Sequence, residues 1–250
     1  MTLGEHFVEL RKRLFRSALG LLAGAVVGWF VSDYLLDALR SPITEIAKQQ
    51  GRMAQLNYDS ITGAFDLKMQ IAVTVGVVLS SPIWLYQIWA FFVPALSRKE
   101  LRYGFGFFFT AVPLFLAGAY VGWLLVPHIV TLLTSFAPGA DSSIISAKTY
   151  FDFVLKLTLA VGVAFVLPVF LVLLNFVGVL SARSIIKSWR WAFILIALFT
   201  AIATPAADVL SMFLLAIPMI LLYLAAYGVA WLHDRRVAKS AVRLEAELAT

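Results

Sequence analysis

Two carboxylates have the neighbours and the placement that chemistry needs. Glu9 lies in HFVELRKRLFRS, residues 6–17, among Arg11, Lys12, Arg13 and Arg16, immediately before a long apolar run. Glu100 closes SRKE, residues 97–100, before another. An ionised carboxylate can accept a guanidinium bidentately, hold a helix together locally, or act as an acid or base. The third role finds no companions. The chain has three His, of which His128 lies near an apolar run, beside Pro127. Cys is absent, so no thiolate nucleophile, disulfide or thiolate metal site is available. No G-x-x-x-x-G-K, G-x-S-x-G or H-E-x-x-H pattern occurs, and facing ligands for a haem or metal are missing. The sequence thus predicts a protein that is not an enzyme and carries no cofactor and no metal.

Local spacing offers both acids a structural role. Thr2 and Glu5 can form a capping box, Leu3, Phe7, Leu10 and Leu14 share one apolar face, and Glu9 to Arg13 is a favourable i,i+4 pair. An amphipathic interfacial helix leading into a span needs nothing more. Ser97-x-x-Glu100 is likewise a capping box opening the next helix. Spacing alone therefore favours helix support over recognition for each.

The elements that must position these acids are membrane helices. Hydrophobic residues make up 62% of the 250, charged residues 14%, and mean hydropathy is +0.91, too little polar surface for a water-soluble globule. With about 20 apolar residues needed per span, six spans fit, approximately 15–36, 69–93, 104–130, 152–178, 190–204 and 209–232, with 233–250 as a tail. The expected fold is an all-α integral membrane protein of six transmembrane helices in one domain. The first apolar run ends in DYLLDALRSP without a small-residue cleavage site, so it is expected to stay.

Charge sets the orientation. On alternate sides of these spans lie 14 and 6 of the Lys and Arg residues, and the richer side includes both termini. By the positive-inside rule the termini are cytoplasmic. The net charge of +6 then reports topology and attraction to anionic membrane lipids, with no nucleic-acid site implied.

Pro82, Pro113, Pro168 and Pro218 fall within spans and are expected to kink them. Gly20, Gly24 and Gly28 line one face of the first span, and Gly118 and Gly122 mark the third, for close helix packing. Kinks and glycine faces together imply a curved, glove-like bundle. The fifth span, WRWAFILIALFTAIAT, reaches only ~24 Å against a ~30 Å hydrocarbon core. Phe65-Asp66, Gly76-Val77 and Pro82 are echoed at identical offsets by Phe151-Asp152, Gly162-Val163 and Pro168, through an old duplication or convergent helix starts and kinks.

The ordered blocks HFVELRKRL, SSPIWLYQIWAFFVPALSRKELR, FVLPV and TPAADVLSMFLLAIPM, across nearly the whole chain, resemble TatC, the multi-spanning subunit of the twin-arginine protein translocase. The resemblance implies a receptor that binds the paired arginines of signal peptides at the cytoplasmic face. It also implies carriage of folded proteins across the bacterial plasma (inner) membrane, using the proton-motive force. The matching positions are Glu9 and Glu100, with Arg11, Arg13, Phe91, Pro94 and Arg98 around them. A planar guanidinium suits carboxylate better than the point charge of Lys does. The surrounding cations require the acids to be aimed outward. Implied partners are TatA- and TatB-like single-span subunits, docking along the fifth and sixth spans near Thr204 and Met212, and other copies of the chain. Two departures stand out: Val166 replaces a Glu or Gln common in the family, and Met212 replaces a polar side chain.

Two alternatives stand beside this reading. A small-solute secondary transporter would pair polar groups near the bilayer midplane, where these spans carry almost no charge. A purely structural scaffold would use Glu9 and Glu100 only as helix caps.

Overall fold

Backbone surrounded by apolar side chains must close its own hydrogen bonds, which favours helices wherever the chain is apolar throughout. The computed structural model describes residues 3–50, 55–58, 60–92, 101–135, 144–204 and 209–248. Its helices are α1 Leu3–Gln50, α2 Gly63–Leu79, α3 Ser81–Phe92, α4 Leu101–Ser135, α5 Ala147–Phe176, α6 Ala182–Lys187, α7 Trp189–Ala203 and α8 Val209–Leu248. Several run well past the apolar stretches that define them. The segment expected as a tail continues α8 to Leu248.

The fold is all-α as expected, with a short pair of strands beside the helices. Strands β1 Gln55–Asn57 and β2 Ile144–Ser146 pair in parallel, with Leu56 opposite Ile145. Three residues per strand are too few to show an alternating pattern, so this pairing between distant connections leaves no mark in the sequence.

Stretches Gly4–Ser41, Gly106–Ile129, Ala147–Phe176 and Met212–Ser240 are each long and apolar enough to cross a bilayer. Helices α2 and α3 reach that length only together, bent by 56°. The bend falls where Pro82 lacks an N–H. The chain restarts through Ile83 N donating to Ser80 O at 2.8 Å, while the Trp84 indole donates to Val77 O at 2.9 Å and occupies a carbonyl at the break. Pro113, Pro168 and Pro218, expected to act alike, lie inside continuous helices. Helix α7 has 15 residues and rises only about 22 Å, the shortness foreseen for the fifth span.

Glycine determines which helices meet. A Cβ on Gly24 would lie 2.8 Å from Gly76 O, and one on Gly28 only 2.5 Å from Ala72 O, so α1 and α2 touch backbone to backbone. The α4–α5 pair repeats the device: a Cβ on Gly118 would lie 2.8 Å from Val161 O, and one on Gly162 2.9 Å from the Phe115 ring. Thus Gly76 and Gly162, which share a place in the internal echo, each seat a neighbouring helix. The likeness stops there, since Phe151 is fully buried and Phe65 is 57% exposed.

Polar ties fix the helix ends. Tyr150 Oη donates to Leu39 O at 2.9 Å, joining α5 to α1. At the other end of α5, Asn175 Nδ2 donates to Asp234 Oδ1 at 2.8 Å, and Ala182 N donates to Asp234 Oδ2 at 2.7 Å. One carboxylate of α8 thereby holds both the end of α5 and the start of α6. Tyr223 Oη also donates to Ile185 O, fixing α6 on α8.

Candidate functional site

On α1 the side chains of His6, Glu9 and Arg13 recur at helical spacing, and on α3 Gln87 and Phe91 stand one turn apart. The two stripes face each other. His6 and Phe91 bring their rings to 4.4 Å between centroids, and Arg13 Nη1 donates to Gln87 Oε1 at 3.5 Å. Phe7, Leu14 and Phe15 point the other way and are exposed, which gives the start of α1 the apolar outer face its pattern requires.

Between the stripes sits the Glu9 carboxylate. Arg13 donates to it from Nε at 3.0 Å and from Nη2, both bonds ending on Oε1. The two side chains are less than a fifth exposed. Oε2 is buried and accepts no hydrogen bond from any of the described residues. A buried carboxylate oxygen without a donor is costly, so Oε2 keeps unused capacity to accept from a cationic or N–H donor. The i,i+4 pair read from spacing is present. The acid is not aimed outward as expected, however, because Arg13 draws it toward the α3 face.

Arg11 lies exposed on the outer side of α1. Pro94, Arg98 and Glu100 lie outside the described residues, as does Ser97 of the proposed cap, although α4 does begin at Leu101. Gln87 had not been singled out from the sequence. The available sign was a lone amide inside the apolar PIWLYQIWAFF, and it is only 9% exposed.

Thr204 and Met212 belong to a different region, the α7–α8 hairpin. Thr204 caps the end of α7, is buried, and donates its hydroxyl to Thr200 O at 2.8 Å. Its polar group is thus already used inside the protein. Met212 is partly buried in the first turn of α8. Val166 packs among Leu85, Phe115 and Val169 in an apolar cluster, a surrounding that suits it.

Together these features define a multi-pass helical membrane protein whose polar site lies where α1 begins and α3 ends. The family profile described as Sec-independent protein translocase protein (TatC) matches residues 5–218. The chain belongs to the TatC family, and so to the protein translocases rather than to a family of catalytic enzymes. It is 44% identical to the TatC protein of Xylanimonas cellulosilytica over 236 residues, covering 94% of this chain and 86% of that one. With the Rothia mucilaginosa protein it shares 34% over 245 residues, 98% and 84% of the two chains. A crystal structure of the twin arginine translocase receptor TatC superposes with a TM-score of 0.76 at 30% identity, covering 91% of this chain and 98% of that one. The small-solute transporter alternative is set aside, because the family moves proteins.

Proposed function

We propose that this subunit is the receptor of its translocase, binding the paired arginines of a signal peptide between the start of α1 and the segment after α3. The observation carrying this reading is Glu9, half engaged by Arg13 through Oε1 while the buried Oε2 accepts nothing. One guest guanidinium takes that oxygen, with Gln87 and the Phe91 ring beside it. The second arginine goes to Glu100, with Arg98 and Pro94 shaping the approach and Arg11 facing lipid phosphate. Two charge-assisted contacts give about 1.5–3 kcal/mol each, whereas micromolar affinity needs about 8 kcal/mol. The apolar part of the signal supplies the remainder. An apolar cavity of about 420 Å³ between α4, α5 and α8, lined by Phe107, Leu114, Val169, Phe176 and Val229 among others, offers it a surface.

In this account six segments cross the bacterial inner membrane, with α2–α3 as one bent span and α7 as a short one, and both termini are cytoplasmic. Single-span TatA- and TatB-like subunits dock along α7 and α8, and other copies of the chain complete the assembly, which uses the proton-motive force to move folded cargo. Docking there rests on exposed apolar side chains such as Leu198, Ile202 and Phe213 more than on the Thr204 hydroxyl, which is already committed, with Met212 at the hairpin's rim.

The test is titration of the purified subunit with a twin-arginine signal peptide, comparing wild type with Glu9→Gln and Glu100→Gln. Each substitution should weaken binding by roughly tenfold or more, the loss of one charge-assisted contact. Unchanged affinity in both variants would remove the assignment.

A further inference from the structure

The corner joining α6 to α7 carries Arg183, Lys187 and Arg190, and among the described residues none of them is in an ion pair. Arg190 lies over the Trp189 ring at 5.7 Å. The carboxylate packed on this corner is Asp234, and both of its oxygens are taken, one by Ala182 N and the other by Asn175 Nδ2. It is therefore poorly placed to pair with the three cations as well.

Against this corner opens a cleft of about 570 Å³ between α5, α6, α7 and α8. Its floor includes Ile185, Met219 and Tyr223, all buried, and the Tyr223 hydroxyl is already bonded to Ile185 O. Leu167, Trp191 and Leu195 form a mouth more than half exposed. Ser184 and Ser188, one turn apart, put two hydroxyls on the rim; no hydrogen bond from either hydroxyl is found among the described residues. The cleft is thus apolar in its depth with two hydroxyls at its rim, and the three cations follow the same α6–α7 corner as sequence neighbours of rim residues Ser184, Ser188 and Trp191. A helix with side chains fills such a volume within roughly one turn, so the space suits a flexible chain better than a partner helix. The shortness of α7 adds to this, since the bilayer must adjust beside it.

We infer that the cleft and the α6–α7 corner form a binding site for an anionic phospholipid: one acyl chain lies between Leu167, Trp191 and Leu195, and the phosphate meets Arg183, Lys187, Arg190 and the two serine hydroxyls. This site is separate from the peptide site and does not depend on it. It commits to a lipid because a free phosphate would leave the apolar cleft unfilled, and because basic side chains at a membrane surface select anionic headgroups.

The experiment uses the full chain in detergent with equimolar phosphatidylglycerol and phosphatidylcholine of identical acyl chains, counting retained lipid by native mass spectrometry. Phosphatidylglycerol should be kept over phosphatidylcholine by roughly tenfold. Arg183→Gln/Lys187→Gln/Arg190→Gln should bring the ratio near one, whereas Arg235→Gln/Arg236→Gln/Lys239→Gln, the same charge change on α8, should leave it unaltered. The charge-keeping pair Arg183→Lys/Arg190→Lys should retain the preference, which separates charge from folding. Ala192→Trp, which fills the cleft, should reduce retention of both lipids. An unchanged ratio in the corner variant, an equal loss in the α8 variant, release of the lipid by excess inorganic phosphate, or retention of an apolar single-span peptide in place of either lipid would each overturn the site.

Discussion

At the scale of residues, the account turns on what each carboxylate already holds. Among the described residues Glu9 keeps one oxygen unpaired, whereas Asp234 spends both on Asn175 and Ala182. The proposed receptor role gives the first a guest to accept, and the second is a structural tie. Asp234→Ala should therefore destabilise the purified protein by about 2 kcal/mol, because two donors lose their acceptor. Asp234→Asn, which keeps one acceptor, should cost less, and thermal unfolding in detergent compares the two. Glu9→Gln should cost less than Asp234→Ala, since the amide oxygen can still accept from Arg13 and the half-paired charge is removed. Glu9 and Arg13 were legible because they are neighbours on one helix. Gln87 was not, because its meaning comes from α3 lying against α1. The Asn175–Asp234 tie joins residues far apart in the chain and carries no local spacing to read.

At the scale of elements, glycine and proline set the architecture. Gly24→Ala places a methyl 2.8 Å from a backbone oxygen of α2, while Gly228 has nothing within 4 Å of its would-be Cβ. The first substitution should cost about 1–3 kcal/mol by forcing α1 off α2. Gly228→Ala should be neutral or stabilising by up to about 1 kcal/mol, as Ala replaces Gly inside a helix. The same unfolding measurement reads both, and equal effects would contradict the packing argument. The glycine faces were plain in the sequence because a period of four is a helix face. Proline was harder to read: Pro82 stands at the break between α2 and α3, yet Pro113 lies within an unbroken α4. Inside α4 a proline removes one helical hydrogen bond, whereas Pro82 stands in the first turn of α3, where its missing N–H has no helical partner to lose. The β1–β2 ribbon is the element the apolar pattern could not show, because three-residue strands have no period.

At the scale of the whole molecule, the positive-inside rule predicts that the start of α1 lies on the cytoplasmic side. The chain has no Cys, so a single introduced thiol reports topology without background. Ser240→Cys, exposed on α8, should react with a membrane-impermeant maleimide only after cells are opened, and Ile61→Cys, exposed before α2, should react in intact cells. The opposite pattern would put Glu9 on the wrong face for a cytoplasmic signal peptide. The central claim is that the site selects arginine because a carboxylate at a partly dry helix junction accepts a planar guanidinium better than an ammonium. The most direct measurement is calorimetric binding of two signal peptides, identical except for Arg-Arg or Lys-Lys, to wild type and to the Glu9→Gln/Glu100→Gln double variant. The account predicts tighter binding of the arginine peptide by at least roughly tenfold, with the difference abolished in the double variant. Equal binding of the two peptides to the wild type, or a preference that survives in the double variant, would contradict it.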